Sequence, residues 1–170
     1  MKTYTVNKGK HKSTWIPKFW YNKNTFNFEF SIEEGWFNIA EVEHSGISKI
    51  CGISSVIHAE RILGKIPIIK NIVNGVVIGW YPSIKFNKYD LYIITDYKGV
   101  EKRINIASCT KGEKVRVRIR LHSNVAYVTF NDIHTVPVKV KNFNMGYYLF
   151  PYFGGKAPAY DTYVVNLKID

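Results

Sequence analysis

The chain has 170 residues, 46% of them apolar and 15% aromatic. That length fits one globular core needing no disulfide or structural metal, and no apolar run reaches membrane-spanning length. A formal charge of +11 steers anionic partners toward the surface, whether nucleic acid, nucleotides, anionic glycans or acidic proteins.

The abundance of Tyr, Phe, Ile, Val and Thr predicts sheet rather than helix. Lys2–Val6 reads as a first strand, followed by a lysine-rich loop. Trp15-Ile-Pro-Lys-Phe-Trp-Tyr-Asn-Lys23 then interleaves rings with bases, a mixture that can stack bases and meet phosphates. The preferred reading is structural: residues 1–23 form a basic aromatic segment packing on a single β-sandwich domain, 1–170. Charge is unevenly spread, with six lysines and no acid from Met1 to Phe28, then six glutamates against Lys49 alone from Glu29 to Glu60.

Phe26, Phe28, Phe30 and Ile32 alternate with polar residues, the pattern of a half-buried antiparallel strand. Glu41 and Glu43 would share one strand face, as a glycosidase's acid and base do, but a solvated face is the simpler account. Residues 46–65 lose the period of two. There Ser54 or Ser55 is expected to cap a short helix over Val56–Leu63, ended by Gly64, with His58 and Arg61 on one face. Strand signals return at Gly75–Tyr81 and Lys88–Thr95, and Tyr97–Val100 turns into Arg103–Ala107. These strands are apolar on both faces, as expected in the middle of a two-layer fold.

The clearest pattern runs from Lys114 to Phe130. A two-residue turn at Ser123-Asn124 pairs Leu121 with Ala126, Ile119 with Val128 and Val117 with Phe130 on the core face. The same register sets Arg120 opposite Tyr127 and Arg118 opposite Thr129, making a basic ladder able to take phosphate, sulfate or uronate groups. Asn131-Asp132 offers a further turn, and Pro137 marks an edge strand. The end of the chain reads as two long strands, Met145–Phe153 and Tyr163–Ile169, broken at Gly154-Gly155 and Ala157-Pro158.

Several chemistries lack their residues. There is no phosphate-cradling Gly-rich loop, no dinucleotide fingerprint, no His-Glu-x-x-His and no Gly-x-Ser-x-Gly elbow. The five histidines are scattered, so no catalytic residue, metal or cofactor is assigned. Cys51 and Cys109 read as buried free thiols. The N-terminus lacks the apolar core of a signal peptide, so a cytoplasmic protein is expected, or a phage-encoded, virion-associated one.

Ile78-Gly79-Trp80, Tyr92-Ile-Ile-Thr-Asp-Tyr-Lys-Gly-Val-Glu-Lys-Arg103 and Tyr148-Leu-Phe-Pro-Tyr-Phe-Gly-Gly-Lys-Ala-Pro-Ala-Tyr-Asp161 resemble small concanavalin A-like lectin/glucanase domains, many of them uncharacterised bacterial or phage proteins. The resemblance spans about residues 46–169. It implies an all-β antiparallel β-sandwich or jelly roll, with at most one or two short helices. It also implies a concave sheet face that holds a ligand against rings. Trp80, Tyr92, Tyr148 and Tyr152 are the expected ring residues, with His58, Arg118 and Arg120 as polar partners. The function expected is that of a non-catalytic binding module for a carbohydrate or other hydroxylated anionic ligand. The alternatives are a nucleic-acid or nucleotide binder and a carbohydrate-active enzyme, a glycosidase or a lyase using Tyr and His as base and acid.

Overall fold

The computed structural model describes residues 1–13, 18–34, 47–55, 74–83, 86–97, 100–152 and 162–170. In chain order the strands are β1 (Lys2–Val6), β2 (Lys18–Tyr21), β3 (Thr25–Glu34), β4 (Ser48–Ser55), β5 (Asn74–Ser83) and β6 (Lys88–Tyr97). They continue as β7 (Val100–Cys109), β8 (Val115–His122), β9 (Val125–Phe130), β10 (His134–Lys139), β11 (Met145–Leu149) and β12 (Tyr163–Ile169). Two six-stranded sheets result, ordered β1-β12-β3-β8-β9-β10 and β2-β11-β4-β5-β6-β7. Every strand pairing is antiparallel.

Alternation decides which residues enter the space between the sheets. On β3, Phe26, Phe28, Phe30 and Ile32 are buried; on β8, Val115, Val117, Ile119 and Leu121; on β12, Tyr163, Val165 and Leu167. The second sheet meets them with Ile50, Cys51, Ile53, Val76, Ile78, Trp80, Leu91, Ile93 and Tyr148. Full burial of one such side chain contributes roughly 1.5–3 kcal/mol, so the interleaved faces supply the main force holding the layers together.

The β8–β9 hairpin has the register that its alternation predicts, Val117↔Phe130, Ile119↔Val128 and Leu121↔Ala126. Asn131 and Asp132 both take positive φ, 47° and 59°, and Ile133 N–H donates to the Phe130 carbonyl at 2.9 Å. Two consecutive left-handed residues match the twist of the flanking strands, which turns β9 straight into β10. β10 is an edge strand, where Pro137 costs no ladder bond.

Two expectations are corrected. Met145–Phe153 and Tyr163–Ile169 read as two long strands joined by a turn; β11 ends at Leu149, and β11 and β12 lie in different sheets. Each has an apolar face for the common core, and that pattern is the same whichever sheet supplies it. The N-terminal segment does not simply lie over the sandwich: β1 is an edge of one sheet and β2 an edge of the other. Glu41, Glu43, the helix expected over Val56–Leu63 and the break at Gly154–Pro158 lie outside the described residues.

Cys51 and Cys109 are both buried and unbridged. Burial raises both thiols, Cys109 up to about 12 with a smaller contribution from the Glu113 charge, and Cys51 further still. Since the thiolate is the reactive form, neither should react with an alkylating reagent at neutral pH until the chain unfolds. Labelling followed by mass spectrometry, with and without denaturant, checks this; rapid labelling of the native protein contradicts it.

Candidate functional site

Of the seven residues singled out from sequence, the structure describes six and divides them between the core and both sheets. Trp80 is 1% exposed and stands edge-on to Tyr89 and Tyr163, at 5.1 and 5.6 Å between ring centroids. It is a core residue and cannot stack on a ligand. The correction has a simple cause: Val76, Ile78 and Trp80 share one face of β5, and that face looks inward. Tyr148 is corrected likewise. Only 5% of it is exposed, its ring packs edge-on to Phe26 and Phe28, and its hydroxyl accepts a hydrogen bond from Lys23 Nζ at 3.1 Å.

Arg118 and Arg120 are exposed on β8, in the sheet opposite the one that carries Tyr92. They do not join the tyrosines. Arg118 is engaged with Asp132 at 3.0 Å and with Asn27 at 3.4 Å, Arg116 with Glu29 at 3.3 Å, and Arg120 lies over the Tyr127 ring at 5.4 Å. Exposed pairs of this kind contribute about 0–1 kcal/mol; they partly offset the charges of Arg116 and Arg118, while Arg120 meets only a neutral ring. His58 lies outside the described residues.

Tyr92 and Tyr152 fall on one line across the sheet, three inter-strand steps apart, roughly 14 Å at the usual strand spacing. The outer face of the β2–β7 sheet carries a second, smaller apolar cluster of Ile47, Val77 and Ile94, with Tyr92 and Leu149 packed against it. Across this face the partnered residues run Tyr152, Lys49, Gly79, Tyr92, Asn105 in one line over four strand positions and the chain end of β11. Lys49 N–H donates to the Tyr152 carbonyl at 2.8 Å, and Tyr152 N–H donates back at 2.9 Å. The parallel line one step along is Leu149, Gly52, Val77, Ile94, Arg103. Gly79 keeps the centre low because a Cβ there would stand 2.6 Å from Ile47 and 2.8 Å from Ile94.

Lys49 and Tyr92 each adjoin a register shift, between Lys49 and Cys51 on β4 and between Leu91 and Tyr92 on β6. Such bulges re-aim side chains and break the period of two. Adjacent Ile50 and Cys51 both enter the core in consequence. The bulge is why Lys49 escaped the sequence reading, although it was the lone base in an acidic stretch. Arg103 and Asn105 were also missed, because on an edge strand their exposure is ordinary.

Lys49 is half-buried, and its Nζ lies 5.4 Å from the centre of the Tyr152 ring. Burial pulls its ammonium below the ordinary lysine value; the Glu101 carboxylate partly restores it, and Arg103 adds a smaller depression. Glu101 and Arg103 pair at 2.6 Å on the exposed end of the face. Burial pushes the Tyr152 hydroxyl up, so that ring stays a neutral phenol. His11 stacks beside it at 6.0 Å. The result is a poorly hydrated cation, an amide and two phenols along one line, with the Glu101–Arg103 pair at its exposed end. That set can hold an anionic, hydroxyl-bearing group. Among the described residues no group of His, Cys, Asp or Glu could hold a metal ion.

No family model matches the sequence, and no curated protein matches it. The fold is similar to solved structures of alginate lyases. AlyC3, solved in complex with dimannuronate, matches with a TM-score of 0.60 at 6% identity, over 99% of this chain and 73% of that one. The alginate lyase from Klebsiella pneumoniae matches with a TM-score of 0.53 at 14% identity, over 86% and 59%. That from Alteromonas sp. 272 matches with 0.50 at 12% identity, over 86% and 72%. The chain has the concanavalin A-like jelly-roll fold.

Proposed function

We propose that the chain, acting as one β-sandwich module over 1–170, binds an acidic saccharide on the outer face of the β2–β7 sheet. The observation that carries this is Lys49, a cation held half out of water in line with Tyr152, Tyr92 and Asn105. A carboxylate restores to Lys49 the solvation it lacks, and charge-assisted bonds of this kind are the strong ones. Tyr92 and Tyr152 offer ring faces to sugar CH groups and hydroxyls to sugar oxygens. A neighbour of the same fold was solved with dimannuronate, an acidic disaccharide, which supports that ligand class.

A second reading, elimination on the same sugar, is favoured by the same lysine. A lysine lowered by burial gives up its proton more readily and can act as a base, taking the proton from the carbon beside the carboxylate and, as the ammonium so formed, returning it to the glycosidic oxygen as that bond breaks and the carbon–carbon double bond forms. The test is a titration with oligouronates beside neutral oligosaccharides and single-stranded oligonucleotides, at two ionic strengths, with ultraviolet absorbance recorded for unsaturated product. The proposal expects saturable oligouronate binding without product, unchanged in Arg118→Glu with Arg120→Glu. Product formation establishes the second reading. Preference for oligonucleotides with a steep salt dependence, or loss of binding in the double arginine variant, overturns both.

A further inference from the structure

At the other end of β11 from Tyr152 lies an open cleft of about 350 Å³ between the β2–β3 turn and the segment leading into β11. Asn22, Lys23 and Asn24 line one wall, and Asn142, Phe143 and Asn144 the other. Thr25 and Leu121 complete the lining, and four of the eight residues are asparagines. Both walls are fixed by their backbones. Asn22 N–H donates to the Asn144 carbonyl at 2.6 Å, Leu121 N–H to the Asn24 carbonyl at 2.7 Å, and Asn142 N–H to Asn124 Oδ1 at 3.2 Å. Phe143 is braced by Trp20 at 5.5 Å.

The side chains are less committed than the backbone. Asn24 Oδ1 accepts from the Thr25 hydroxyl at 3.1 Å, but among the described residues no hydrogen bond is made by the side-chain amides of Asn22, Asn142 or Asn144. Each of those amides carries two donors and one acceptor without net charge. Among the described residues that line the cleft, the one charged group, Lys23, already donates to the Tyr148 hydroxyl at 3.1 Å and to the Asp170 carbonyl at 2.9 Å. What remains free suits a partner bearing several hydroxyls, which both donate and accept, with an apolar face for Phe143. The volume falls at the lower end of the range for small-ligand sites, roughly 300–1,000 Å³.

We propose that this cleft is a second binding site, for one unit of a neutral sugar, independent of the acidic-saccharide face. Its openness makes the binding weak, and since the sugar carries no charge the binding depends little on salt. The experiment is a titration of the isotopically labelled chain with methyl glycosides and disaccharides of glucose, galactose and mannose, following backbone amide signals by NMR at two ionic strengths. The probe variants are Asn144→Ala and Asn22→Gly, each alone and together. Asn22 has φ +48°, which glycine adopts without strain, so its variant deletes the amide and keeps the turn.

At least one neutral sugar should shift the signals of residues 22–25 and 142–144 saturably. Affinity should fall at least fivefold in each single variant and be unchanged in Lys49→Met. Three results overturn the proposal: no sugar of the panel moves those signals, the variants bind as well as the parent chain, or the binding fades with salt as a polyanion's would.

Discussion

Lys49→Met should weaken oligouronate binding by roughly ten- to a hundredfold, the equivalent of about 1.5–3 kcal/mol for a charged hydrogen bond. Methionine keeps the bulk of the stem against the outer face and removes only the ammonium. The fold should gain slightly, because the half-buried cation is disfavoured where it stands and the unfolded chain hydrates it fully. Affinity and stability therefore move in opposite directions, which a merely damaged protein would not show.

The same lysine sets a pH dependence. Its folded value is lowered, so between that value and the ordinary 10.5 the unfolded chain binds more protons and stability rises with pH. Ligand affinity does the reverse: it falls as pH climbs through the lowered value, because the neutral amine no longer pairs with a carboxylate. Lys49→Arg should hold its affinity across that window, since a guanidinium stays charged. Calorimetric titration of the parent and both variants at several pH values checks the two affinity statements, and urea unfolding across the same pH values checks the stability statement. A flat profile in the parent chain contradicts the role given to Lys49.

Trp80→Ala should cost about 3–5 kcal/mol of stability, a large share of the roughly 5–15 kcal/mol that a domain has. Trp80 lies between two rings that are themselves sealed from water, Tyr89 and Tyr163. Truncation leaves a cavity between the sheets that neither ring can fill without leaving its own packing. Urea unfolding followed by circular dichroism gives the midpoint, and saccharide titration of the folded fraction should give parental affinity. A midpoint that hardly moves, together with lost binding, would return Trp80 to the ligand site.

Trp80 also shows where sequence stops being informative. β5 is apolar on both faces, Val76, Ile78 and Trp80 on one and Val77 on the other, so alternation announces a central strand without saying which face looks inward. A tryptophan beside a glycine then fits a core and a groove equally. The β8–β9 hairpin was readable to the residue pair because two one-sided strands had to agree on one register across a short turn. One face of β8 is purely basic, and only one solution buries the other.

The site was legible only in fragments. Tyr92 and Tyr152 are 60 positions apart in the chain and are aligned across β4 and β5, the first of which hides its alternation in a bulge at Lys49. Long-range pairing through a bulged strand leaves no local signature. The arginine ladder had the opposite fault. Its pattern was strong, yet Arg116 and Arg118 are answered by Glu29 and Asp132, partners that only the fold brings near.

The most direct measurement is an amide-shift map of the labelled chain with a saturating oligouronate. The account predicts the largest shifts at Lys49, Gly79, Tyr92, Arg103 and Asn105, on adjoining strands of one outer face, with β8 and β9 unmoved. Shifts confined to Arg116, Arg118 and Arg120, or none at all, would contradict it.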